Sequence, residues 1–206
     1  MKLSKFATDR SFAGGYANMV LYRLCEEQPS HDDVGIVQAK LELIGRFYSA
    51  SPKRGVGDGR YPKTSFFEYL ARRLKKSNLD AELDEARSLG RVSTRNLHRI
   101  QEIHANFCKK VVDFINDDWN VGTSNRKAHN RVSFGSKYLH FHAPMAFFIY
   151  DSVVLGKLEK KLPAGASYAR CCEGLLEHAE KHWPQSAWTP RSVDQEIYRY
   201  ETVDAN

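Results

Sequence analysis

The chain has 206 residues, 42% of them hydrophobic and 27% charged, with a formal net charge of +6 and a pI near 9.1. That length supports one domain, or two closely packed lobes, around a real core, and that composition excludes a disordered chain. No run of about 18 apolar residues spans a membrane, and the basic balance is too small to coat nucleic acid by charge alone but has the right sign for a polyanion.

The four cysteines, Cys25, Cys108, Cys171 and Cys172, form no CxxC pair, and two of them are adjacent. This is not a secreted disulfide framework. The N-terminal MKLSKFATDR lacks a signal-type apolar run, so a reducing cytoplasm is the expected location.

In chain order, ANMVLYRLCEE predicts a first helix with Val20, Leu21, Leu24 and Cys25 clustered, ended by Pro29. Asp32-Asp33 offers a cap for a second, with Val37, Leu41, Ile44 and Tyr48 at helical spacing and its end near Pro52. Residues 51–63, SPKRGVGDGRYPK, form a basic glycine-rich loop; no strand precedes GVGDG, so a surface loop or a contact to a nucleic-acid backbone is expected ahead of a nucleotide site. Ser65 and Glu68 make a capping box for a helix with Phe66, Phe67, Leu70 and Leu74 inward and Arg72, Arg73, Lys75 and Lys76 outward, a solvated basic face. An acidic helix over 78–90 stops at Gly90.

Residues 93–119 carry the longest helical pattern, with Leu97, Ile100, Phe107, Val111 and Phe114 on one seam with His104. His104 and Cys108 are four apart, but two ligands do not make a zinc site, and a packed core histidine is the expectation. A polar connection with Arg126, Lys127 and Arg131 leads to VSFGSKYLHFHAPMAFFIYDSVV, residues 132–154. There Phe134-Gly135-Ser136 reads as a tight turn opening a helix whose free N–H groups suit a phosphate, with Lys137 in the first turn. The segment breaks at Ala143-Pro144 and resumes as a helix around Asp151, so Lys137 and Asp151 are expected to meet across the bend. Helices over 167–183 and, after Thr189-Pro190, to Tyr200 close the chain. With no period-two strand and no repeat, the fold class is a compact all-α fold.

Gly135-Ser136-Lys137 followed by FFIYDSVV resembles the signature of the helix-hairpin-helix DNA glycosylase superfamily, in particular the branch with an 8-oxoguanine DNA glycosylase fold. The last helix, PRSVDQEIYRY, is similar to the closing helix of that branch. The resemblance implies a helix-hairpin-helix motif, a catalytic lysine at Lys137 and a catalytic aspartate at Asp151. It also implies DNA contacts at Phe134, Gly135, Ser136, Arg131 and Lys127, and duplex DNA with an extruded base as partner. Val132-Ser133 stands where the family has proline-glycine, and 14 residues separate Lys137 from Asp151, fewer than in many members. No four-cysteine cluster is present, which excludes the iron–sulfur version. No metal or other cofactor is expected.

The chemistry implied is excision of a damaged or modified base by cleavage of the N-glycosidic bond. Positive charge develops on the sugar, which a carboxylate at Asp151 stabilises, directly or while activating water. A desolvated Lys137 attacking the sugar carbon would add lyase activity. His140, Phe141 and Tyr150 are candidates for the base pocket, and a helix points His140 and His142 about 200° apart, so at most one faces a pocket. Either histidine is otherwise expected to be partly exposed and idle. The alternatives are a non-catalytic helical module that binds nucleic acid, and the same glycosylase chemistry turned on foreign DNA with modified bases.

Overall fold

The computed structural model describes residues 15–56, 64–119, 130–151, 154–156, 167–183 and 188–199, and all its regular structure is helical. The helices are α1 (Gly15–Glu27), α2 (Val34–Phe47), α3 (Phe66–Lys75), α4 (Leu79–Ser88), α5 (Leu97–Asp113), α6 (Val132–His142), α7 (Tyr168–His182) and α8 (Pro190–Arg199). No strand is formed among the described residues, and none of the described helices is long and apolar enough to cross a membrane.

The start signals act as their chemistry dictates. Asp33 Oδ1 accepts from the Ile36 amide (3.0 Å), Ser65 Oγ from Glu68 (3.1 Å) and Ser167 Oγ from Arg170 (3.4 Å), each satisfying an amide that an opening helix leaves unpaired. Thr189 and Ser192 cap each other reciprocally ahead of Pro190, the first residue of α8. Gly90, at φ 69°, takes the left-handed conformation just past α4. α2 ends at Phe47, earlier than the proline at 52 suggested, and Ser49 turns the chain at φ 49°. α5 widens into a π-helical segment, Phe114–Trp119, where the Tyr69 hydroxyl donates to the Phe114 carbonyl (2.6 Å).

α6 is the central element. It packs against α1, α2 and α5, and every residue from Phe134 to His142 is buried. It packs tightly on α5 at Gly135, where an added Cβ would lie 2.4 Å from Cys108 Sγ. Gly135 donates its amide to the Arg131 carbonyl (2.7 Å), an ordinary helical bond. The turn expected at Phe134-Gly135-Ser136 is therefore not formed. α6 begins three residues earlier, at Val132, with Arg131 at its cap, and Lys137 falls in its second turn. The glycine serves close helix packing rather than a bend.

Candidate active site

Beyond α6 the chain turns at Ala143–Ala146 and runs back as a non-helical segment, Phe147 to Asp151. A buried extended segment must find partners for its backbone groups, and here side chains supply them. His140 Nδ1 donates to the Phe147 carbonyl (2.7 Å), the Tyr168 hydroxyl to Phe148 (3.0 Å) and Lys137 Nζ to Tyr150 (3.3 Å), while Ser136 Oγ accepts from the Tyr150 amide (3.0 Å). Three of these four side chains stand on α6. The returning segment is thus held against α6 by Ser136, Lys137 and His140, and Asp151 arrives beside Lys137.

Lys137 Nζ lies 3.3 Å from Asp151 Oδ2, so the structure does bring the two residues together across the bend. The amine also donates to Ser133 Oγ (2.9 Å), one helical turn back. An ammonium has three N–H donors, and Ser133, the Tyr150 carbonyl and Asp151 match all three. Lys137 is 2% exposed, whereas the Asp151 side chain is 33% exposed. Burial pushes the Lys137 amine below its ordinary range, and the Asp151 carboxylate opposes that shift. The Asp151 carbonyl accepts from the Leu155 amide (2.9 Å), and residues 154–156 are helical.

A second ion pair adjoins this one. Arg191 Nη1 donates to Asp194 Oδ2 (2.6 Å) on α8, both side chains are buried, and Asp194 is electrostatically coupled to Lys137 and Asp151. Burial raises the Asp194 carboxyl to about 6. Neither residue stood out in the sequence. The signal available was an acid beside Val193 and one turn before Ile197, on the face of α8 that enters the core. Ser133, the partner of Lys137, was read only as part of an altered turn.

The other sequence-predicted residues are placed as follows. Phe134 and Ser136 are buried, Phe134 against Phe107 and Tyr138, so they are packed rather than displayed to a DNA backbone, as is Gly135. Arg131 is half-buried at the N-terminal end of α6 and donates to the Arg54 carbonyl (3.0 Å), which keeps two guanidinium groups close together. Lys127 lies outside the described residues. Tyr150 is partly exposed next to Asp151. His140 and Phe141, expected beside an extruded base, are sealed in the core. His140 Nδ1–H is committed to Phe147, so its Nε2 accepts from the Tyr22 hydroxyl (2.6 Å), and Phe141 packs between Tyr22 and Tyr48. His142 is also buried, against the expectation of a partly exposed ring, because α6 is enclosed on all sides.

His104, stacked on Tyr168 at 3.6 Å, is a core histidine as expected, and among the described residues no three His, Cys, Asp or Glu side chains cluster to hold a metal. Two cavities lie apart from the Lys137–Asp151 pair. One, about 590 Å³, is lined by His104, Cys108, Val132 and Tyr168, and the other, about 320 Å³, by Cys25, Arg87 and His142. No family model, curated protein or solved structure matches the chain.

Proposed function

We propose that the protein is a DNA glycosylase that excises a damaged or modified base, with Asp151 as the catalytic residue. The observation that carries this reading is the buried Lys137 amine 3.3 Å from a partly exposed carboxylate at the start of a helix. A carboxylate held in place by a protein cation, with one side open, suits the developing charge of a sugar that is losing its base. It is pre-oriented and needs no reorganisation during the reaction. The same carboxylate can orient and deprotonate the attacking water. Arg131 and Arg54, at the N-terminal end of α6, give a phosphate two guanidinium groups and the helix dipole together. Phosphate contact thus belongs to the true start of α6, three residues before the glycine.

The resting geometry favours the hydrolytic mechanism. Lys137 has each of its three donors engaged, so nucleophilic attack requires it to lose a proton and release Ser133 and the Tyr150 carbonyl. A lyase would take that path. The test is incubation with duplexes that carry oxidised, alkylated or otherwise modified bases. We expect abasic sites from at least one duplex and a loss of about 10²-fold or more in Asp151→Asn. Borohydride trapping of a covalent adduct that disappears in Lys137→Gln would establish the lyase branch. If no duplex yields an abasic site or a strand break, the enzyme reading is abandoned. Salt-dependent DNA binding that survives Asp151→Asn would then identify a non-catalytic nucleic-acid module.

A further inference from the structure

Two serines of α6 serve the candidate site, and they differ in where their hydroxyl hydrogens go. A serine inside a helix gives that hydrogen to a carbonyl three or four residues back. Ser136 does so, donating to the Ser133 carbonyl (3.1 Å). Ser133 is the second residue of α6, which begins at Val132, so no helical residue stands three or four places behind it. Its oxygen accepts from Lys137 Nζ at 2.9 Å, the shortest of the three contacts of that amine. Among the described residues its hydrogen has no acceptor.

That hydrogen matters once Lys137 loses a proton. An ammonium has three hydrogens and no lone pair, and Ser133, the Tyr150 carbonyl and Asp151 all accept from it. The neutral amine has two hydrogens and one lone pair. The Tyr150 carbonyl and the Asp151 carboxylate have no hydrogen to give, so of the three partners only Ser133 can meet the lone pair, by rotation of its hydroxyl. The socket itself is held from α6. Ser136 fixes the Tyr150 amide (3.0 Å), Lys137 fixes the carbonyl of the same residue (3.3 Å), and Lys137 is 2% exposed.

We propose that Ser133 is a positioning residue that keeps Lys137 from acting as a nucleophile. Its hydroxyl accepts from the ammonium and, when the amine is neutral, donates to the lone pair. Attack on the aldehyde carbon of an abasic sugar needs that lone pair: the nitrogen–carbon bond forms with it, the carbonyl oxygen leaves as water, and an imine remains. With Ser133 in place those electrons are engaged before any sugar arrives, and Lys137 is left with its part in fixing Asp151. The proposal rests on the glycosylase reading only for the abasic sugar as the target; the role of Ser133 is a property of the socket.

The test supplies the abasic site ready-made, so that no excision is needed. The full chain is incubated with a duplex carrying a preformed abasic site, and borohydride reduces any imine to a stable covalent adduct. Ser133→Ala should trap about fivefold more adduct than the wild type, the worth of one hydrogen bond. The gain should disappear when Lys137→Gln is added; a gain that persists lies on another lysine and overturns the proposal. Ser133→Thr, which keeps the hydroxyl, should trap as little as the wild type, whereas Ser133→Val, of the same shape without it, should trap like Ser133→Ala. A mere loosening of α6 would not separate threonine from valine. Adduct from Ser133→Ala no greater than from the wild type, or equal trapping by the threonine and valine variants, overturns the proposal. If Ser133→Ala does not fold, the threonine–valine pair decides. If Ser133→Ala gains trapping but the wild type excises no base from any duplex, the role of Ser133 stands and the glycosylase reading fails. If the wild type excises a base and trapping ignores Ser133, the reverse holds.

Discussion

Two lysines are buried against α6, and their surroundings differ in kind. Lys137 faces carboxylates: Asp151 at 3.3 Å and Asp194 within its electrostatic reach. Lys40, on α2 and fully buried, hydrogen-bonds only to neutral acceptors, the Gln28 carbonyl (2.5 Å) and His142 Nε2 (3.2 Å). Around Lys40 the network is made of rings. His142 Nδ1–H donates to the Tyr138 carbonyl (2.8 Å), and His31 links Asp80 to the Tyr138 hydroxyl (2.8 Å) and stacks on His142 at 5.2 Å. Burial lowers the pKa of both lysines. Depressed basicity therefore does not mark a site by itself. The Lys137 side differs by a carboxylate in direct contact with the amine, whereas the exposed carboxylate on the Lys40 side, Asp80, is bonded to His31 instead, and the Lys40 side joins α1, α2 and α6 in the interior.

The largest effect that tests this contrast is on excision. Lys137→Met should lower the rate on an active substrate by about a hundredfold or more, through loss of the cation that fixes Asp151. Lys40→Met should leave the rate within about twofold while costing about 1–3 kcal/mol in urea unfolding, because the Gln28 carbonyl and His142 Nε2 lose a buried donor. Equal losses of excision from the two variants would erase the distinction.

The next effect is on acid stability. Burial holds His31, His104, His140 and His142 below the usual histidine pKa, His104 at about 4 and His140 at about 3. Each is neutral in the fold and gains a proton on unfolding at mildly acidic pH. Their stabilisation is complete above about pH 6.5 and declines as the pH falls, by about 1.4 kcal/mol per pH unit for each histidine, until its folded pKa is passed. Urea midpoints taken from pH 7 to pH 4.5 should fall steeply. A flat series would mean that these rings take up protons as readily in the fold as in the unfolded chain. His140 and His142 stand on α6, and His31 hydrogen-bonds to Tyr138 of that helix, so the acid-labile interior and the candidate site share one helix.

Smaller, and common to both sides, is Gly135→Ala. Its new methyl group would meet Cys108 Sγ at 2.4 Å, with His104 Nε2 and Phe107 next at 3.4 Å, and should force α6 off α5 at a cost of about 1–3 kcal/mol. Adding Cys108→Ala should recover much of the loss, a coupling that a double-mutant cycle measures.

Much of this architecture is legible in the chain. Asp33, Ser65 and Ser167 start helices because a side-chain oxygen ahead of an apolar periodic run has few other roles, and the Ala143-Pro144 break foretells that Lys137 and Asp151 approach each other. Gly135 was misread for a physical reason. A glycine between Phe134 and Ser136 is as suitable for helix contact as for a turn, and the residue that decides is Cys108, in a different helix. The burial of both His140 and His142 was missed because a helix points them about 200° apart, and the elements that enclose α6, α1, α2 and α5, are distant in the chain. Arg191 and Asp194 reach the site from the far end of the chain, and spacing along the chain carries no information about that contact.

The side chains that hold the returning segment make α6 a ruler. In a sheet, register is copied from one backbone to another, but here it is marked by side chains, Ser136 and Lys137 on Tyr150 and His140 on Phe147. The length of the intervening turn is thereby tied to those marks. Deleting one residue between Ala143 and Ala146 would pull Phe147, Tyr150 and Asp151 off their partners at once, while leaving each side chain intact. The pattern Ser-Lys, a histidine three residues after the lysine and an aspartate eleven further on is thus a single measurement, to be sought as a unit in other chains.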